Sequence, residues 1–465
     1  MTKSSTTRTE GSVYRVKNKS DYTKLIKIMG PIAFQYLMTS LVSASDAVML
    51  GFLDQISLSA VSLATQVAFV YSLFSGAFVY GFNVMGAQYY GKRDIESVER
   101  IITITLRYSL LVGIIFSLVT LVAPDKVMYV FTSDPELVRE GARYLRAVSV
   151  SFFLTGISQV YFGVLKVCDR AGLSSAIGSM AVVINIILNA LLIFGIGSIP
   201  GLGIVGAAVA TVCARIFEVV AALIVTERFG CPKTRIRYLL RRDEKLLHAD
   251  YWKYTTPLLI NQLGWGGGVT MYSVIMGHLG SDAVAANSIA SIVRSMVASL
   301  CWGIAAAVGI VIGTMLGNGK LEEAKRLGGK YVRLSIWIGA ASGLVIILLI
   351  PVVFKATTLT ATAQNYLKWM LVMASYYIIG NSLNSTIISG IFPAGGDTKF
   401  GMTCDLITLW CVIVPLGIIF AFLIKAPVLV VAFILTLDEF IKIPAVYKHY
   451  MKYKWVRNIT RSGGT

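Results

Sequence analysis

Apolar stretches recur along the whole chain, separated by short polar connections. Each is long enough to cross a hydrocarbon core of roughly 30 Å at about 1.5 Å per residue. A span in lipid has to be helical, because the surroundings offer backbone N–H and C=O groups no partners. Twelve spans are predicted, centred near residues 38, 72, 110, 152, 184, 214, 265, 298, 338, 374, 408 and 434. The expected fold class is an all-α polytopic membrane protein.

The apolar pattern also repeats. At an offset of 226 residues, Pro31 falls on Pro257, Gly51 on Gly277, Ala60 on Ala286, Gly91 on Gly317, Glu96 on Glu322 and Arg100 on Arg326. "GKRDIESVER" (91–100) thereby lies over "GNGKLEEAKR" (317–326). Each repeat holds an even number of spans, so both keep one orientation. The twelve transmembrane helices are expected as two six-helix bundles related by a pseudo-two-fold along the membrane normal, an architecture suited to alternating access. The predicted division is a polar tail (1–24) without fixed structure, a first lobe (25–227), a linker (228–251), a second lobe (252–447) and a second tail (448–465). Leu239, Leu240, Leu246 and Leu247, set among basic residues of the linker, suit either a plain connection or a helix lying on the membrane surface.

Composition fits this picture: 56% of the 465 residues are hydrophobic and 14% charged, against about 25% charged in an average soluble domain. The net charge of +18 would suggest nucleic acid in a soluble protein. Here most Lys and Arg fall on one side of the membrane, on both tails and the connections after even-numbered spans. By the positive-inside rule that side is cytoplasmic, so both termini are expected in the cytoplasm and nucleic-acid binding is not. A multi-pass protein of the plasma membrane is the expected setting. The first apolar segment is far longer than the core of a signal peptide. The six cysteines are scattered and form no C-x-x-C pair, so they support neither a disulfide framework nor a zinc site. The 42 glycines fit helices that approach closely, and "GWGGG" (264–268) could let the seventh span bend.

Ionisable residues deep in a span are costly, and each is a functional candidate. Asp46 lies about 30 Å along the first span from its basic end. Asn185 and Asn189 share one face of the fifth span, and Thr211 of the sixth falls at a similar height. Together they offer a carboxylate, two amide oxygens and a hydroxyl, fit for a hard cation or a hydrogen-bonded proton, with interhelical hydrogen bonding as the plainer alternative for the Asn pair and Thr211. Arg215 and Glu218 are three apart and can pair; Glu439 is a rough repeat partner of Glu218, and structural pairing is favoured over a second relay. Arg294 needs a partner that the sequence does not name. Asp397 and Asp405 suit turn and helix-start roles. Gln35, Tyr36, Met38, Gln66, Tyr71, Phe74, Asn261, Gln262, Met271 and Tyr272 are candidates for a central substrate cavity.

"DAVMLG" (46–51), "GAQYYGKRD" (86–94), "GAAVAT" (206–211) and "AGGDTKF" (394–400), in this order and spacing, resemble the characteristic stretches of the multidrug and toxic compound extrusion (MATE) family, over about residues 25–445. The resemblance implies a cation site in the N-terminal lobe at Asp46, Asn185, Asn189 and Thr211. The chain departs from the family pattern in lacking the Glu that many members carry in the seventh span and the acid that some carry in the tenth. Coupling is therefore expected through Asp46. The implied function is a monomeric secondary antiporter exporting amphipathic, often cationic, small molecules in exchange for H⁺ or Na⁺, with no cofactor and no metal beyond a Na⁺ at that site. A lipid or lipid-linked oligosaccharide flippase of the same superfamily is the alternative, and membrane lipids are expected contacts in either case. An enzyme is not expected: the three histidines lie in loops or at span ends, and no catalytic or metal motif is present.

Overall fold

The structure, a computed structural model, describes residues 10–196, 199–234, 245–357 and 359–461. It is almost wholly helical. The helices are α1 (Glu10–Gly51), α2 (Gln55–Gly91), α3 (Ile95–Val122), α4 (Pro124–Tyr129), α5 (Pro135–Val148), α6 (Val150–Val167), α7 (Ala171–Phe194) and α8 (Ile204–Arg228) in the first half. The second half has α9 (Lys245–Gly277), α10 (Ser281–Gly317), α11 (Leu321–Ala356), α12 (Ala361–Asn384), α13 (Thr398–Leu406), α14 (Val428–Leu435) and α15 (Asp438–Tyr450). π-helical segments continue α12 through Ser385–Ile391 and interrupt the helical run after α13. A two-residue antiparallel ladder pairs Gly195 with Pro200 and Ile196 with Ile199 in the α7–α8 connection.

Among the described residues nine helices are long and apolar enough to cross a membrane. The other three expected spans are present but more polar or broken: α9, α12, and α14 followed by α15. Two boundaries differ from expectation. α1 begins at Glu10, so much of the anticipated unstructured tail is helix; a helix satisfies its own backbone and can run past the apolar boundary into water. α9 begins at Lys245, which moves the end of the linker into the second lobe. Leu239 and Leu240 lie outside the described residues. Leu247 is not spread on a membrane surface but buried with Tyr251 and Tyr254 in the core of the first lobe, against Phe82 and Ile102.

Local signals set the helix starts. Asp54 and Asp94 cap α2 and α3, each accepting from a backbone N–H and a hydroxyl three residues on: Ser57 at 2.6 and 2.8 Å, Ser97 at 3.1 and 2.8 Å. Ser57's bonds hold the Asp54 carboxyl below its ordinary range. An Asp94→Ala variant is expected to lose about 1 kcal/mol of stability, read as a lower unfolding midpoint in detergent with transport retained.

The seam between the lobes is closed at the basic end. There α1 and α9 exchange places: Leu25 and Ile28 of α1 enter a core with Tyr331 and Val308 of the second half, while their repeat mates Tyr251 and Tyr254 of α9 enter the core of the first. Glycines make the closest approaches. A Cβ on Gly91 would stand 2.2 Å from the Thr314 carbonyl oxygen, and one on Gly317 would stand 1.9 Å from that of Gln88. Gln88 and Thr314 are themselves 226 apart, so the two contacts are images of one another about the pseudo-two-fold. Ala87 and Gly313, also repeat mates, meet on the axis.

The segment after α15 straps this seam from below. Trp455 is fully buried, Arg457 donates to the carbonyls of Gly395 and Gly396 at 2.7 Å, and Gln88 of α2 donates to Ala394 at 2.6 Å and accepts from the Ile459 N–H at 2.8 Å. Arg461 pairs with Asp250 at 2.6 Å. The strap thus touches both lobes at once.

Candidate functional site

α1, α7 and α8 bring together the four candidate coupling residues of the first lobe. Asn189 Nδ2 donates to Asp46 Oδ1 at 2.5 Å and to Asn185 Oδ1 at 3.3 Å. Asn185 Nδ2 donates to Thr211 Oγ1 at 3.4 Å, and that hydroxyl donates to the Ala207 carbonyl at 3.0 Å. Asn185 and Asn189 are buried, and Asn189 Oδ1 has no hydrogen-bond partner. The close approach of α7 and α8 depends on Gly206, where a Cβ would stand 2.4 Å from the Leu192 carbonyl oxygen. This places the 185/189 face directly against Thr211.

Arg215, one turn from Thr211, donates through one nitrogen to both Glu218 oxygens at 2.8 Å, and Glu218 also accepts from Ser158 at 3.1 Å. The pairing expected from the i,i+3 spacing is present. Glu218 is buried, and a buried carboxylate stripped of such a partner costs about 3–5 kcal/mol. The first lobe therefore carries a continuous polar run, from Asp46 through the two amides and Thr211 toward the Arg215–Glu218 pair.

A cavity lies between the lobes, lined from α2 by Tyr80 and Asn83, from α9 by Asn261 and Gln262, and from α10 and the α12–α13 region by Gly309, Ser389 and Met402. Of the ten residues expected from sequence to line a cavity, Asn261 and Gln262 do so. Tyr71 does not: it is buried in the first lobe, donates to the Phe152 carbonyl at 2.7 Å and packs edge-on against Phe116 and Phe152. Phe74 packs beside the same Phe116. Gln35 leans on Gly178 of α7, and Tyr36 stands edge-on to Trp302 across the seam, 6.1 Å between centroids. Gln66 is exposed on α2, Met38 and Met271 are half-buried, and the Tyr272 hydroxyl is buried inside the second lobe without a hydrogen-bond partner.

"GWGGG" does not break the seventh span. α9 is continuous, and its glycines admit neighbours: Leu406 at Gly264, Leu73 at Gly266, Trp410 at Gly267 and Leu409 at Gly268, with Trp410 Nε1 donating to the Gly264 carbonyl at 3.0 Å.

The second lobe holds polar groups that sequence reasoning placed elsewhere. Asp405 is no helix-start residue; it accepts from Asn261 at 2.9 Å and pairs with Lys442 at 3.0 Å. Lys442 also pairs with Glu439 at 3.1 Å, which accepts from Asn381 at 3.0 Å and Asn384 at 2.7 Å. Arg294 stacks over Tyr377, 5.3 Å from the ring centroid. Asp397 accepts from His449 at 2.7 Å. Among the described residues no cluster of three or more His, Cys, Asp or Glu is arranged to hold a metal ion.

With this geometry in hand, comparison with known proteins is specific. The MatE family model matches residues 31–191 and 257–423, once in each lobe. The probable multidrug resistance protein NorM of Rhizobium meliloti is 27% identical over 395 residues, covering 83% of each chain. The probable multidrug resistance protein YoeA of Bacillus subtilis is 25% identical over 362 residues, 75% of this chain and 76% of its own. Among solved structures, a MOP superfamily transporter from Pyrococcus furiosus superposes with a TM-score of 0.84 at 18% identity, covering 94% of this chain and 96% of its own. An outward-facing multidrug resistance MATE transporter superposes with a TM-score of 0.83 at 18% identity over 93% of this chain and 96% of its own.

Proposed function

This chain belongs to the MatE family, a family of transporters and not of enzymes, and on that premise we propose that it exports amphipathic, often cationic, small molecules in exchange for protons. The observation that carries the proposal is the hydrogen-bonded group Asp46, Asn189, Asn185 and Thr211. It sits in one lobe, apart from the cavity between the lobes, so an ion and a substrate can act on the same rocking motion without sharing a pocket.

The proton is favoured over Na⁺ by what faces the carboxylate. A bound Na⁺ needs several oxygens converging on it. Here an N–H group of Asn189 points at Asp46 and the Asn185 oxygen and the Thr211 hydroxyl are engaged with their neighbours, which leaves Asn189 Oδ1 as the one unpartnered amide oxygen of the set, fewer than a Na⁺ requires beside the carboxylate. A proton needs only the one carboxylate.

The seam is closed at the basic face, so this is the state in which the cavity is shut off from the cytoplasm, with both termini on the cytoplasmic side. Protonation of Asp46 from outside removes the charge that Asn189 satisfies and frees α1 to repack against α7. The mixed wall of the cavity, with Asn261, Gln262, Tyr80 and Met402 beside apolar side chains, suits varied amphipathic ligands.

The test is uptake of ethidium into proteoliposomes under separately imposed pH and Na⁺ gradients. The expected result is accumulation driven by the pH gradient alone. Accumulation only under the Na⁺ gradient would replace the ion, and lipid scrambling without ethidium transport under either gradient would replace the function by lipid flipping.

A further inference from the structure

The last span is broken within its length. α14 ends at Leu435 and α15 begins at Asp438, with the Tyr376 and Thr436 hydroxyls hydrogen-bonded at 2.8 Å beside the break. Interrupted spans are tolerated where they line a protein-internal site. Two acids, Asp438 and Glu439, open the new helix, and both are more than nine-tenths buried.

Glu439 is saturated by Lys442, Asn381 and Asn384. Asp438 is different. Its Oδ1 is buried without a hydrogen-bond partner, and so is Oδ1 of Asn384, which is 2% exposed. An unpaired buried acceptor is costly, and one on a carboxylate calls for a positively charged or hydrogen-donating ligand.

Charge counting gives the same answer. The groups facing Asp438 are Tyr272 from α9, Arg294 from α10, Tyr376 and Tyr377 from α12, and Glu439 and Lys442 from α15 itself, and the network continues from Glu439 to Asn381 and Asn384 of α12 and from Lys442 to Asp405 of α13. Three carboxylates, Asp405, Asp438 and Glu439, stand against two cations, Arg294 and Lys442. One negative charge is left over, and Asp438 is the acid without a salt-bridge contact.

The pocket is also connected to the cavity between the lobes. Asn261 lines that cavity and donates to Asp405; Asp405 pairs with Lys442; Lys442 pairs with Glu439, the chain neighbour of Asp438. A ligand that disturbs Asn261 can therefore shift Lys442 toward or away from the acid pair.

We propose that Asp438 is a second proton-carrying carboxyl, housed in the C-terminal lobe and linked to the substrate cavity through Glu439, Lys442, Asp405 and Asn261. One proton adds to the Asp438 carboxylate from water on the open side and leaves to water on the other. No other bond is made or broken. A proton is the ligand because Lys442 and Arg294 already occupy the pocket, and a free metal cation would be repelled by both. This deepens the antiport reading and rests on it.

The experiment counts protons released when ethidium binds the full-length protein in weakly buffered detergent, followed with a pH dye. Wild type is expected to release about two protons per ethidium, Asp438→Asn and Asp46→Asn about one each, and the double variant none. A wild-type count of one overturns the second site without recourse to any variant, and so does an Asp438→Asn count equal to wild type, while the antiport reading survives both. No release from wild type, or an unchanged count in Asp46→Asn, overturns the antiport reading itself. If Asp438→Asn does not elute as a monodisperse species, Asp438→Glu replaces it, with wild-type stoichiometry and a displaced pH profile expected; an unmoved profile counts against the proposal. Suppression of the Asp438-dependent release by NaCl but not by KCl at fixed pH overturns the proton as ligand.

Discussion

Exchange of Asp46 for Asn uncouples transport from the ion gradient: in proteoliposomes, ethidium uptake driven by a pH gradient falls by roughly one to two orders of magnitude, the range of a typical coupling free energy between two sites. Equilibrium binding of ethidium weakens with it and loses the Asp46-dependent part of its pH dependence, although the cavity lining is drawn from α2, α9, α10 and the α12–α13 region and does not include Asp46, because the proton released on binding and the affinity are reciprocally linked. The reason is local. Asn189 donates to Asp46 at 2.5 Å, and an amide in place of the carboxylate can still accept that bond but can never gain or lose a proton. The first lobe would then have one state where the cycle needs two. Asp46→Glu, which keeps a titratable group, is expected to retain part of the activity. Wild-type gradient-driven uptake in Asp46→Asn would remove Asp46 from the mechanism.

The second large effect concerns the seam. Replacing Gly317 with Leu is expected to hold the lobes apart at the basic face and to reduce transport at least about tenfold. A Cβ there meets the Gln88 carbonyl oxygen at 1.9 Å and the Gln88 Cα at 2.6 Å. Backbone of a second helix cannot rotate away as a side chain can, and overpacking even against side chains costs about 1–3 kcal/mol. Charged to the closed state alone, a penalty of that size shifts the balance of open and closed forms by roughly 5- to 150-fold. Spin labels at Glu96 and Glu322, exposed repeat mates, would report a longer distance distribution in Gly317→Leu than in wild type. Gly277→Ala is the matched control, since nothing lies within 4 Å of a Cβ there. An unchanged distribution in Gly317→Leu would mean that the glycine contact does not govern closure.

Much of this was legible in the sequence, for definable reasons. The duplication at 226 residues predicted two lobes in one orientation, because repeat offset and span parity are properties of the chain alone. The juxtaposition of Asp46, Asn185, Asn189 and Thr211 was anticipated from depth along each span together with the family resemblance. Depth says nothing, however, about which way a side chain points around the helix. Tyr71 has the depth of a cavity residue and turns instead into the first lobe toward Phe152.

The second-lobe network was misread for the same reason and one more. Asp405 and Asn261 are 144 residues apart, and the sequence suggested a helix start for Asp405, at the inner end of the eleventh span, where it stands instead near the end of α13. Arg294 had no visible partner because Tyr377 contributes a ring face and not a charge. The missing acids of the seventh and tenth spans pointed away from this lobe, while the break that buries Asp438 in the twelfth leaves no mark stronger than a threonine between apolar residues.

The contact of Gly91 with Thr314 and its image, Gly317 with Gln88, also bears on how such a chain could have arisen. If the two halves descend from one six-helix ancestor that worked as a symmetric dimer, one glycine codon supplied both contacts, and any change in it struck the interface twice. Fusion into a single gene split that codon into two. Each copy could then be tested by mutation separately, and residues sitting on the axis were free to diverge, as Ala87 and Gly313 have. The carboxylate of Asp46, whose repeat mate is Tyr272, shows the same freedom at the proposed coupling site.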